Sequence, residues 1–504
     1  MDNDDYENLV RRLESESEQN PASFRRKVVF ISIAAYLALA ALLAVLIGIV
    51  WFGLSHYREV RNAWLLFKLG ALGFAMLGLL FVVLRAFLTR LEPPAGREIT
   101  AADAPKLFDL LQRLRTKLGG PPIDRVVVNQ VFNAAISQVP RFGLFGGHRN
   151  HLILGLPYLY AMTAKEMLAT LAHEYGHLAG DHGKIGAWVY RQRITFGALY
   201  EKLRANADSN WINGLISSAL DRFAPHYNAY TFVLSRQQEY EADAIASRIT
   251  SAEANASGLV RGELLGRWVE ETFWPKLYAQ AVDRPQPLFF PFSAMRTAFP
   301  AGSPEWSTPE RLRDAEKIDS GLNDTHPCLR DRVSAIGLPI ALPKPVEQNA
   351  ADALLGPLAQ RLAKEFDQQW WQDHQTRWQS YHHKRQEGKR RIAELGSRAA
   401  ETLNPYELQE LAQLLIDDER PTEAKPVLEE LLRRSGGPFP KANWLCANLL
   451  LDDGNALGLE HLRQAAEADA SLAGDCARRG YYYLLSTKGE EAAEAWVETL
   501  PNFD

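Results

Sequence analysis

The sequence predicts an α+β fold that is mostly α: an N-terminal two-helix transmembrane hairpin, a central domain with a small antiparallel sheet, and C-terminal α-helical repeats. Three observations carry this. Residues 28–54 form a run of 27 without a charge, and 63–84 follow with only Lys68 inside; a bilayer span needs roughly 20 apolar residues. Short β-like runs precede a helical pattern holding Ala172-His173-Glu174-Tyr175-Gly176-His177. Beyond Pro405, leucine-rich segments recur with a period near 35, the length of a helical-hairpin repeat.

A chain of 504 residues exceeds one ordinary hydrophobic core, so several units are expected. A net charge of −5 gives no footprint for nucleic acid. Cys328, Cys446 and Cys476 are widely spaced and form no C-x-x-C pair, which argues against a disulfide framework and against a cysteine-based metal site.

The hairpin is expected over 28–90, after a tail at 1–27. A cleaved signal peptide fits poorly, because the segment ahead of the apolar run is long and acidic and a second run follows. Lys68 lies about one turn into the second run, where its stem reaches back to the headgroups. Arg11, Arg12, Arg25, Arg26 and Lys27 precede the hairpin and Arg85, Arg90 and Arg97 follow it, against Arg58 and Arg61 in the turn. The positive-inside rule then places both ends in the cytoplasm. The expectation is an integral protein of a bacterial inner membrane with two spans and a cytoplasmic catalytic domain; a domain on the far side is the rival topology. Pro93, Pro94 and Gly96 end the second span.

The soluble part starts near Arg97. Leu107, Leu110, Leu111, Leu114 and Leu118 fall at helical spacing before Gly119 and Gly120. β-like runs follow at 124–129, 133–139 and 151–156. Thr163 and Glu166 then make a capping box, and Met167, Leu168, Leu171, Tyr175 and Leu178 recur on one side of a helix ending at Gly180. On that helix His173 and His177 are four apart, so their imidazoles share a face and could hold one metal ion, with Glu174 beside the open position. A helical His pair also occurs as a satisfied structural pair, so a third ligand has to decide. Residues 235–243, Ser-Arg-Gln-Gln-Glu-Tyr-Glu-Ala-Asp, supply it. Glu239 and Asp243 share a face at i, i+4, so Glu239 fits as ligand while Asp243 accepts the other N–H of a ligand histidine. Ala242, Ile245 and Ala246 leave a small-residue side for close packing. The bland alternative is a solvated acidic helix.

These motifs resemble the membrane gluzincins that include the CAAX prenyl protease and the bacterial heat-shock protease HtpX. The resemblance rests on His173-Glu174-Tyr175-Gly176-His177, on Arg236 with Glu239-Tyr240-Glu241-Ala242-Asp243, and on Thr325-His326-Pro327 followed by Arg332. It implies a zincin-like catalytic domain over 97–345, one Zn2+ per chain on His173, His177 and Glu239, and Glu174 as general base. It also implies His326 and Arg332 at the active site, stabilising the oxyanion or orienting Glu239. Asn133-Ala134 is similar to the family's Asn-Ala-Phe segment and marks Asn133 for a sheet edge that holds substrate as an added strand; Ala135 stands where an aromatic is usual. The partners implied are a peptide or protein substrate and the lipid bilayer. His182, just past the helix, reads as a surface or supporting histidine.

Residues 350–396 read as a linker helix whose Phe366, Trp370, His374, Trp378 and Tyr381 form a core stripe. In 400–504, Leu414-Leu415-Ile416-Asp417-Asp418 recurs as Leu449-Leu450-Leu451-Asp452-Asp453, and Leu484-Leu485 falls one step later. This resembles tetratricopeptide hairpins, which would bind a protein partner. The function expected is a membrane-anchored zinc endopeptidase; the alternative is a catalytically weak or inactive membrane scaffold binding partners through its repeats.

Overall fold

The computed structural model describes residues 3–56, 93–140, 147–179, 211–321 and 326–501, with 64, 70, 73, 74, 188 and 189 between them. The chain forms two units, Met1–Pro275 with Phe289–Trp371, and Lys276–Leu288 with Gln372–Asp504.

The first unit begins with α1 (Asn3–Gln19) and α2 (Pro21–His56). Leu9, Val10 and Leu13 recur at three- and four-residue spacing, and all three are buried; Asp4 and Asp5 suit the positive end of the α1 dipole. Asn20 closes the joint by accepting from the Ser23 N–H at 3.1 Å, with Pro21 at the first helical position. The span expected over 28–54 falls within α2, part of whose side chains lie outside the described residues. Among the described residues no helix is long and apolar enough to cross a membrane. The second expected span, 63–84, lies outside them apart from isolated positions, as do His182, Gly180 and Thr325.

β1 (Arg97–Ile99), α3 (Pro105–Leu118), β2 (Arg125–Asn129), β3 (Ala134–Pro140) and β4 (His148–Gly155) follow. The spatial order is β1-β2-β4-β3. The sheet is mixed, which corrects the antiparallel expectation: β1 with β2 and β3 with β4 are antiparallel, but β2 and β4 run parallel. The reason is topological. β3 turns back into β4, and β4 slots between β3 and β2, so it repeats the direction of β2. Val126, Val127, Val128, Leu152 and Leu154 are buried, as central strands covered on both faces require. β3 is left as an edge.

His151 sits in β4 between Arg125 and Ser137. Its side chain is buried and its Nδ1 has no hydrogen-bond partner. Burial first, then the cations Arg125 and Arg149, push its pKa below the ordinary value, with Asp124 and Glu98 opposing. The unfolded chain therefore binds this proton more readily. Stability from His151 is present above about pH 6.5, the unfolded value, and is lost as pH falls towards the depressed folded pKa. Thermal unfolding between pH 7.5 and 5.5 is expected to fall less steeply in His151→Phe than in wild type; equal slopes would remove His151 from the account.

α4 (Leu156–Ala161) leads to α5 (Ala164–Ala179), then come α6 (Trp211–Ile249) and α7 (Ala252–Trp268), and a π-helical turn at Val269–Phe273 continues into α8 (Trp274–Ala279). The first unit resumes with α9 (Pro291–Ala301), α10 (Ser303–Trp306), α11 (Pro309–Glu316), α12 (Leu329–Ile336) and α13 (Ala350–Leu354), and α14 (Pro357–Gly396) starts in it. Phe366 and Trp370 of α14 are buried, Phe366 against Phe292 and Trp370 against Trp274.

In the second unit Trp378 donates its indole N–H to the Arg284 carbonyl at 2.9 Å. The expected stripe is thus core at Phe366, Trp370 and Trp378, whereas Tyr381 is exposed. Six helices follow: α15 (Pro405–Asp417), α16 (Pro421–Arg433), α17 (Pro440–Asp452), α18 (Gly458–Ala468), α19 (Ala473–Lys488) and α20 (Glu490–Glu498). Leu408, Leu411, Leu415, Leu428, Leu431 and Leu445 form one core, and Ala447, Leu451, Leu462, Ala465 and Cys476 the next. Gly480 is required by a close approach, since a Cβ there would lie 2.1 Å from the Trp496 ring.

Candidate active site

The capping box is present as two bonds: the Thr163 N–H donates to Glu166 Oε2 at 2.8 Å, and the Glu166 N–H to Thr163 Oγ1 at 3.2 Å. It fixes where α5 begins and hence which face carries His173 and His177. α5 packs against α6 where the chain is thinnest, since a Cβ on Gly176 would sit 3.2 Å from Ile245. That approach brings Glu239 of α6 to the histidine pair.

His173 Nε2 and His177 Nε2 lie 3.2 Å apart. Glu239 Oε2 is 3.5 Å from the first and Oε1 is 3.3 Å from the second. Four-coordinate zinc with bonds near 2.0–2.1 Å spaces its ligands by about 3.4 Å; the three distances lie near that value, the two to Glu239 being to its two different oxygens. The three residues are a compatible metal cluster.

Supporting bonds orient each ligand. Asp243 Oδ1 is 2.9 Å from His173 Nδ1, which assigns that nitrogen the proton and leaves Nε2 as the donor to a metal. Arg332 grips the same carboxylate with two bonds of 2.8 Å, Nε to Oδ2 and Nη2 to Oδ1. His326 Nδ1 lies 2.7 Å from Glu239 Oε2. The two residues implied by resemblance thus stand on the two carboxylates of α6, with His326 more exposed than the other site residues.

The electrostatics follow from these contacts. Burial pushes the Glu239 carboxyl up, but bonds from His173, His177 and His326 outweigh it and hold the group well below the usual carboxylate range. Asp243 is treated alike: burial opposes ionisation, and Arg332 and His173 hold it low. Both carboxylates stay charged in a buried setting.

Glu174 points elsewhere. Its Oε2 accepts the Ile136 N–H at 3.0 Å, an amide of the edge strand β3 that bonds away from β4. Asn133 stands at the start of β3, exposed, with its Oδ1 accepting the Ala134 N–H at 2.8 Å.

Two contributors, Ile136 and Arg261, and the Glu14 partner of the motif residue Arg236 were not foreseen. Ile136 acts through its backbone and leaves no residue-type signal. Arg261 is buried against Glu166, and Arg236 bonds to Glu14; a buried arginine of this kind is visible only as an acidic partner far away in the chain.

No curated protein and no solved structure matches the chain. Residues 143–339, which hold His173, Glu174, His177, Glu239, Asp243, His326 and Arg332, match the family model described as peptidase family M48, and this supports a metallopeptidase of that family.

Proposed function

We propose that the chain is a membrane-anchored zinc endopeptidase with one Zn2+ per chain, of the subgroup with the CAAX prenyl protease and HtpX, acting in membrane-protein processing or quality control. The observation that carries it is the convergence of His173, His177 and Glu239, whose donor atoms approach one another to 3.2–3.5 Å, with Glu174 left out of that set and bonded to the β3 edge. Bound zinc supplies Lewis acidity towards the scissile carbonyl and lowers the pKa of water. Glu174 takes the proton of the attacking water and hands it to the leaving nitrogen. The β3 edge pairs with an extended substrate by main-chain hydrogen bonds, which sets the carbonyl near Glu174. Asp243 keeps the His173 tautomer fixed, and His326 holds Glu239.

Membrane attachment is supported by the charge-free run 28–54 and by exposed Phe30, Leu37, Trp51 and Phe52 on α2. The arginine bias of the flanks supports a cytoplasmic catalytic domain. The helical pairs after Pro405 support tetratricopeptide-like recruitment of a protein partner.

Glu174→Gln is expected to keep stoichiometric zinc while peptide or casein cleavage falls by about 10²–10⁴-fold, measured by metal analysis and turnover on the same preparation. Zinc bound with no cleavage in either form would favour a scaffold. Cleavage untouched by the substitution would sink the assignment of Glu174.

A further inference from the structure

α1 is built into the catalytic unit. Leu9, Val10, Leu13, Phe24 and Val28 share one apolar cluster with Ala229, Phe232, Val233 and Leu234 of α6. Polar bonds run along the same seam: Gln237 Nε2 donates to the Ser17 carbonyl at 3.3 Å, and Arg25 pairs with Glu241 at 2.5 Å. All of them engage the stretch of α6 that carries Glu239.

Arg236 occupies the middle of this seam, one turn before Glu239. Its side chain is largely buried and its guanidinium lies 4.4 Å from the Phe232 ring centroid. One arm, Nη1, donates to Glu14 of α1. The other, Nη2, donates to the Gly321 carbonyl at 2.7 Å. Next to Gly321, Ser320 Oγ accepts the Cys328 N–H at 2.7 Å and lies 3.2 Å from Asp331 Oδ2. Residues 320 and 328 are therefore tied together, and His326 sits between them with Nδ1 on Glu239.

We propose that Arg236 is a positioning residue that couples the N-terminal helix, through Glu14, to Gly321 and Ser320 and, by the Ser320–Cys328 bond, to His326 on Glu239. A guanidinium is a planar fork with fixed donor directions. Glu14 fixes one prong, and the second is thereby aimed at Gly321. Loss of Glu14 frees the fork to rotate and releases Gly321, without removing any group that touches a metal ligand. The catalytic consequence rests on the reading of the site as a zinc peptidase; the mechanical coupling does not.

The test uses the full chain with Glu14→Ala, Glu14→Gln and Arg236→Ala. Amide hydrogen exchange over 317–336 is expected to quicken about fivefold or more in Glu14→Ala and in Arg236→Ala, while β2 and β4 stay within about twofold of wild type. Zinc content is unchanged, and kcat on a peptide falls about fivefold with KM within about twofold. Glu14→Gln keeps an acceptor oxygen and is expected to restore most of both. Exchange over 317–336 at the wild-type rate in Glu14→Ala overturns the proposal, as does a uniform quickening that includes β2 and β4, which would mark Glu14 as merely structural. A wild-type chain that binds zinc but cleaves nothing refutes the peptidase reading alone, since the exchange measurement still decides the coupling.

Discussion

Glu239→Gln is expected to strip zinc from the purified chain, whereas Asp243→Asn is expected to keep it at about 10- to 100-fold lower affinity. The first follows from charge and geometry: an amide offers one neutral oxygen, and its NH2 would face a histidine nitrogen now 3.3 or 3.5 Å away. The second follows from what surrounds Asp243. Oδ1 accepts from both His173 and Arg332, and Oδ2 accepts from Arg332 Nε. An asparagine oriented with its oxygen towards His173 turns its NH2 into the Arg332 donor. Flipped, it donates to His173 Nδ1 and forces the proton onto Nε2, the nitrogen a metal needs bare. Either orientation breaks one side of the arrangement. Competition against a chromophoric chelator would measure both variants, and wild-type affinity in Asp243→Asn would show that the His173 tautomer is not set by this carboxylate.

Legibility in the sequence followed the range of the interaction. The α5 boundary was readable because a capping box needs only Thr163 and Glu166, three residues apart, and both bonds are present. Glu239 and Asp243 were readable because helical spacing puts them on one face. Strand direction was not. Alternation along 125–129 or 148–155 is the same for parallel and antiparallel neighbours, and the β4 position between β2 and β3 is decided by tertiary packing. β1 spans three residues, too few for a period. The opening segment read as an acidic tail because its charges outnumber its apolar residues; the signal of an ordered helix was the spacing of Leu9, Val10 and Leu13. The Ile136 contact with Glu174 has no sequence signature, because every non-proline residue carries that N–H.

The largest stability effect is expected at Arg261. Its Nε and Nη2 each bond Glu166 at 3.0 Å, and Nη2 also reaches the Lys344 carbonyl at 2.6 Å. Both side chains are almost fully buried. Burial alone would push the Glu166 carboxyl up, and Arg261, with Ser257 and the Thr163 N–H, brings it below the ordinary value. Arg261→Met leaves that carboxylate buried with only the weaker partners, a change that costs about 3–5 kcal/mol in comparable buried pairs. Amide exchange across α5 would then quicken by about two to nearly four decades. Pairing it with Glu166→Leu removes the stranded charge, and buried ion pairs replaced whole by apolar groups lose far less; what is still lost is the capping bond from the Thr163 N–H to the Glu166 carboxylate, about 1 kcal/mol. The double variant is therefore expected to be more stable than Arg261→Met alone. A double variant as unstable as the sum of its singles would mean that the pair matters for its own attraction and not for the charge left behind. Because α5 carries His173 and His177, the same opening also releases zinc, so metal retention should rank the three proteins in the order of their exchange rates.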